Sequence, residues 1–119
     1  MLEGFLYKAY PSGNGCFDLE LIGDCPVLKG HFPGFPVLPG AAVIEIVREI
    51  VSGMAGREIR FVRMRSVKFM RMIVPGNRPR VSAVLDENCS SLRASVSVNG
   101  TECVKISAVC ETFQNQESK

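Results

Sequence analysis

PGAAVIEIVREIVSGM, residues 39–54, reads as the one long helix of this chain. Val43, Ile44, Ile46, Val47, Ile50, Val51 and Met54 cover well over half of a helical wheel. Glu45, Arg48, Glu49 and Ser52 keep i, i+3, i+4, i+7 spacing and form one narrow polar stripe. Pro39 suits the first turn, where its missing N–H costs nothing, and Gly53 and Gly56 close the helix. A helix that is apolar on most sides needs cover on most sides. Its flanks supply strands: LEGFLYKAY (2–10) and CFDLELI (16–22), separated by a turn cluster at 11–15, lie upstream. Downstream come FVRMRSVKFMRMIV (61–74), a turn at Pro75-Gly76-Asn77, RVSAVLDE (80–87), LRASVSV (92–98) and CVKISAVCETF (103–113). Asn99-Gly100 between two such runs is a two-residue hairpin signal. One helix wrapped by a long antiparallel sheet is the layer arrangement these patterns predict, an α+β fold. The expected unit is a single domain over residues 1–113, with the polar QNQESK (114–119) as a fraying tail.

Composition excludes several classes. With 46% apolar and 22% charged residues, the chain has the balance of a folded globular protein. The longest uncharged apolar run, 37–44, is interrupted by Pro39 and Gly40 and is too short to span a bilayer. The N-terminus carries Glu3 and no basic region before its apolar residues, so no signal peptide is expected and the location predicted is cytoplasmic, without membrane attachment. Five dispersed cysteines, at 16, 25, 89, 103 and 110, read as reduced thiols rather than a zinc site, which wants closely spaced ligand pairs.

Charge is distributed unevenly. The formal net charge is only +2, yet residues 57–71 hold five arginines and one lysine against one acid, Glu58. On a strand Arg63 and Arg65 would share one face, with Met64 on the other. Such a row is either a solvated sheet face or a docking patch for an acidic partner protein. Nucleic acid is a poor fit, since the chain has no tryptophan and no recognised binding motif.

The chemistry concentrates upstream of the helix, in GHFPGFPVLPGAAVIE (30–45), which holds the only histidine. His31 is the side chain able to exchange a proton readily near neutrality. Glu45, if shielded beside an apolar helix, would have a raised pKa and serve as an acid. The small residues Gly40, Ala41 and Ala42 leave the helix N–H groups open to a substrate carbonyl, where the dipole favours negative charge. The plain readings are a structural histidine and a surface glutamate, and Pro33, Pro36 and Pro39 also spell a PxxPxxP ligand.

This stretch closely resembles the GHFPGxPxxPGxxxxE signature of β-hydroxyacyl-(acyl carrier protein) dehydratases of the hotdog fold, with the same fourteen positions from histidine to acid. A second block, Lys68-Phe69, Arg71 and Val74-Pro75-Gly76, resembles the strand and turn after the central helix in that family. The resemblance implies that His31 takes the C2 proton of a 3-hydroxyacyl thioester, that Glu45 assists departure of the C3 hydroxyl, and that the Gly40 N–H polarises the thioester carbonyl. Histidine and acid would come from different subunits, so a homodimer or a higher homo-oligomer is expected. Phe32, Pro33, Phe35, Leu38 and Ala41, with some of Met64, Met70 and Met72, would line the acyl tunnel. Arg63, Arg65, Lys68 and Arg71 would dock the acidic acyl carrier protein that bears the substrate. No metal, flavin or other cofactor is implied. The pathway would be fatty-acid or related, aryl polyene-like biosynthesis.

Three departures stand out. Glu49 replaces the family's usual glutamine, Asn77 its usual aspartate and Met72 its usual proline. Glu49 would either raise the pKa of Glu45 by repulsion or pair with Arg48 and be inert. The rival functions are a hotdog thioesterase and a non-catalytic hotdog partner subunit that binds acyl carrier protein.

Overall fold

The computed structural model describes residues 2–22, 25, 37–74 and 76–113. In chain order these form β1 (Tyr7–Gly13), β2 (Cys16–Leu21), α1 (Gly40–Ala55), β3 (Glu58–Phe69), β4 (Arg80–Leu85), β5 (Ser91–Val98) and β6 (Thr101–Phe113). The strands make one antiparallel sheet in the order β1-β2-β4-β5-β6-β3. With α1 packed on that sheet, this is the α+β hotdog arrangement the sequence implied.

The helix buries Val43, Ile46, Val47, Ile50 and Val51. They join Leu19, Ile59, Val81, Leu92, Val96, Val104 and Ile106 from the sheet in one core. Each such side chain contributes roughly 1.5–3 kcal/mol by leaving water. The apolar face is narrower than the wheel suggests, because Met54 remains 39% exposed. Pro39 is the residue before the helix rather than in its first turn: its backbone is extended and its side chain cannot cap. Gly56 stops the helix at φ 70°, its N–H donating to the Ser52 carbonyl at 2.9 Å.

The Asn99-Gly100 hairpin forms as expected, with φ 52° and 81° and Val98 opposite Thr101. The ends of two strands differ from the sequence pattern. Residues 4–6 turn instead of extending, and β1 runs through Pro11 to Gly13, as an edge strand tolerates. Strand β3 stops at Phe69, five residues early. It also carries register shifts at Phe61/Arg63 and Met64/Ser66, each adding one residue. Its inward residues are therefore Ile59, Phe61, Met64 and Val67, while Arg63 and Arg65 both face out. No helix among the described residues is long and apolar enough to cross a membrane.

Candidate functional site

Of the residues singled out in the glycine-proline stretch, His31, Phe32, Pro33 and Phe35 lie outside the described residues. The description resumes at Val37 and Leu38, both buried. The Leu38 N–H donates to the Ile73 carbonyl at 2.7 Å, which ties the entry to α1 to the segment following β3.

Ala42 and Val43 donate their N–H groups to the Pro39 carbonyl at 3.0 and 3.1 Å. The N–H groups of Gly40 and Ala41 come earlier in the helix and have no intrahelical acceptor. No acid occupies the first turn and Pro39 offers no cap, so among the described residues nothing neutralises this positive pole. The lack of a side chain at Gly40 lets the Phe69 ring rest against the helix start: a β-carbon would lie 2.9 Å from Phe69 Cζ and 3.1 Å from its Cε1, and the ring would have to shift.

A cleft of about 330 Å³ opens beside Gly40, walled by Leu38, Val43, Phe69, Met70, Arg71, Met72, Ile73 and Val104. The structure thus brings together Gly40, Leu38, Met70, Met72 and Arg71 from among the residues read in the sequence. Ala41 is exposed and is not among these walls, and of the three methionines Met70 and Met72 line the cleft while Met64 packs on the core, turned inward by the β3 bulge at Phe61/Arg63. Arg63, Arg65 and Lys68 are exposed along β3. The sequence reading missed Phe69 and Val104 as walls. Phe69 stood in the second family-like block, whereas Val104 arrives only because β6 pairs it with Phe69.

Glu45 stands five residues past Gly40, about 7.5 Å further along the helix, and is not part of the cleft walls. Arg48 grips it as a fork: Nε donates to Oε1 at 2.9 Å and Nη2 to Oε2 at 2.5 Å. Nη1 donates to the Ile59 carbonyl at 3.0 Å and lies 3.8 Å from the Glu58 carboxylate. The Arg48 hydrogen bonds, opposed by partial burial, hold the Glu45 carboxyl below the ordinary glutamate range. The expected upward shift is overturned, and the reason is the i+3 arginine.

Glu49, one turn on, anchors the N-terminal segment. It accepts the Leu2 N–H at 2.7 Å, the Glu3 N–H at 3.1 Å and the Tyr7 hydroxyl at 2.9 Å. Burial first, then the bond to Glu49, push the Tyr7 phenol far above its ordinary value. Ser52 Oγ accepts the Ile59 N–H at 2.9 Å. The polar stripe of α1 is therefore a seam that joins the helix to the N-terminal segment and to the start of β3. The Asn77 departure is equally harmless locally: its Oδ1 accepts the Val74 N–H at 2.9 Å, a role aspartate would fill in the same way.

Comparison with known proteins adds family context. The model of a family described as ApeI-like, ApeI dehydratase, matches residues 11–107. A 3-hydroxyacyl-[acyl-carrier-protein] dehydratase FabZ of Pelotomaculum thermopropionicum is 32% identical over 69 residues, covering 52% of this chain and 49% of that protein. The FabZ of Desulforamulus reducens is 36% identical over 63 residues, covering 47% and 44%. The chain thus spans about half the length of these curated relatives. Among solved structures, the dehydratase heterocomplex ApeI:P from Xenorhabdus doucetiae superposes with a TM-score of 0.72 at 24% identity, covering 80% of this chain and 84% of that one. That likeness establishes the shared fold.

Proposed function

Because the chain belongs to the ApeI-like dehydratase family, we propose that it dehydrates a 3-hydroxyacyl chain on acyl carrier protein to the trans-2-enoyl thioester. The observation that carries this reading is the start of α1 at Gly40, which has no side-chain cap among the described residues and opens onto an apolar cleft. A thioester carbonyl seated there would accept the Gly40 N–H, and the helix pole would stabilise the enolate-like charge that develops when C2 loses its proton. His31 is the base, and Glu45 holds the departing C3 hydroxyl. Leu38, Met70, Met72 and Phe69 give the acyl chain a dry wall. Arg63, Arg65, Lys68 and Arg71 receive the acidic carrier.

The site is completed by a second subunit. Strand β3 is an edge of twelve residues, a template for pairing with another copy along its backbone. His31 of one subunit then serves the Glu45 of the other in a homodimer. Fatty-acid or related aryl polyene-like biosynthesis in the cytoplasm is the setting that fits this chemistry.

The Arg48 fork on Glu45 favours a second reading, a non-catalytic partner in a hotdog heterocomplex, since it holds the carboxyl ionised and so unable to donate a proton to the departing hydroxyl. One experiment separates the readings: hydration of enoyl thioesters followed by ultraviolet absorbance and mass spectrometry, wild type beside His31→Ala, with free thiol measured in parallel. His31-dependent 3-hydroxyacyl product supports the dehydratase. Released thiol points to a thioesterase. Well-folded protein silent in both assays, across chain lengths and carriers, sinks the enzyme and leaves the partner subunit.

A further inference from the structure

Building on the dehydratase reading, we propose that Arg48 is a positioning residue, fixing the Glu45 carboxylate in one orientation and tying it to the start of β3. A glutamate on a helix surface otherwise sweeps several rotamers. Here the planar guanidinium meets both carboxylate oxygens, a geometry that a single-point cation cannot reproduce. The third bond, to the Ile59 carbonyl, anchors the fork in rigid surroundings. Ile59 is fully buried and its N–H is held by Ser52 Oγ. The Arg48 side chain is itself only 24% exposed.

Arg48 is the dominant partner among the groups around Glu45. On α1 they are Arg48 and Glu49, from β3 Glu58, and from β1 the Tyr7 phenol. Glu49 is engaged by Leu2, Glu3 and Tyr7, and Glu58 meets Arg48 only at 3.8 Å. The lowered pKa of Glu45 agrees with this geometry.

Each carboxylate oxygen has a second lone-pair direction, so a forked Glu45 can still accept the C3 hydroxyl of the substrate. It does so as an acceptor, and the proton that leaves with the hydroxyl has another source. His31 removes the C2 proton, the C2–H electron pair becomes the C2–C3 double bond, and the C3–O pair departs with the hydroxyl. The imidazolium returns that same proton to make water. Atoms and charge balance with no further donor.

The test is made in the full chain with Arg48→Gln and Arg48→Lys beside wild type and His31→Ala. Arg48→Gln is expected to lower kcat by about 10- to 100-fold, the scale of losing one positioned group. Its KM should stay within about twofold of wild type, because Arg48 acts through Glu45 rather than on the thioester. Arg48→Lys retains charge and stem but not the fork, so it recovers only part of the rate, and it reports even where the glutamine variant folds poorly. A second readout is independent of turnover. In protein labelled with carbon-13 at glutamate carboxyls, with Glu45 assigned through Glu45→Gln, Arg48→Gln should raise the Glu45 titration midpoint. Wild-type kcat in Arg48→Gln, full rescue by lysine, or an unmoved midpoint overturns the proposal while leaving the dehydratase intact. A wild type without His31-dependent turnover overturns the dehydratase reading, and the positioning role with it.

Discussion

Glu49→Ala removes one acceptor shared by the Leu2 N–H at 2.7 Å, the Glu3 N–H at 3.1 Å and the Tyr7 hydroxyl at 2.9 Å. The three losses are unequal. Leu2 and Glu3 lie near the surface, so their N–H groups regain water at modest cost. Tyr7 is only 1% exposed, and its hydroxyl is stranded, which costs about 1–3 kcal/mol. Alanine returns a few tenths of a kcal/mol in helix propensity. The net expectation is a destabilisation of about 1–3 kcal/mol for Glu49→Ala. Tyr7→Phe removes only the donor, leaves the carboxylate its two N–H partners, and should cost about 1 kcal/mol. Because both substitutions delete the same bond, the double variant should fall short of their sum by about 1–2 kcal/mol. The assay is urea unfolding of the four proteins, read as the change in midpoint at constant m. A coupling below about 0.3 kcal/mol would refute the clamp, since that is what distant, independent sites give. Glu49→Gln, which retains one acceptor oxygen, should keep near-wild-type turnover if Glu49 serves the fold and not the chemistry.

Two glycines offer a steric contrast. Gly15 (φ 72°) would place a β-carbon 2.6 Å from the Ala83 carbonyl oxygen, whereas Gly56 (φ 70°) faces open space. Gly15→Ala should therefore cost more than about 2 kcal/mol and Gly56→Ala about 1 kcal/mol in urea unfolding, and equal values would contradict the close approach of β2 and β4. The Glu45–Arg48 pair sets a pH dependence. Its folded carboxyl pKa is depressed, so the pair's contribution is complete above the ordinary glutamate range and is lost as pH falls through the lowered folded value. With the Glu45 side chain 38% exposed, solvent screening limits the difference between wild type and Arg48→Gln to less than about 1 kcal/mol; a difference that grows on acidification would reverse the sign and exclude the pair. At the proposed docking row, Arg63→Glu with Arg65→Glu should raise KM for carrier-bound substrate far more than for a simple thioester analogue, and equal effects would remove that row from carrier binding.

By itself the sequence determined the elements and the chemistry to look for. The 3.6-residue period announced α1, Asn99-Gly100 announced its hairpin, and the glycine-proline spacing from His31 to Glu45 announced a family. These signals are local, because helical faces and turn dihedrals are set by residues a few positions apart. The polar stripe was visible too, but its meaning was not. Glu49 meets Leu2, Glu3 and Tyr7 more than forty positions upstream, and Arg48 divides its donors between Glu45 and the Ile59 carbonyl. Val104 faces the cleft because strand pairing puts it opposite Phe69, and Met64 turns to the core because one extra residue at Phe61/Arg63 shifts the alternation of β3. The pKa of Glu45 turned on a nearer fact. Arg48 stands at i+3 on the same helix, so the pairing lay within reach of the spacing, but the folded chain fixes the guanidinium on both oxygens and on the Ile59 carbonyl, and a fixed opposite charge outweighs partial burial. Period and spacing specify which face a residue occupies; only the folded chain decides what that face meets.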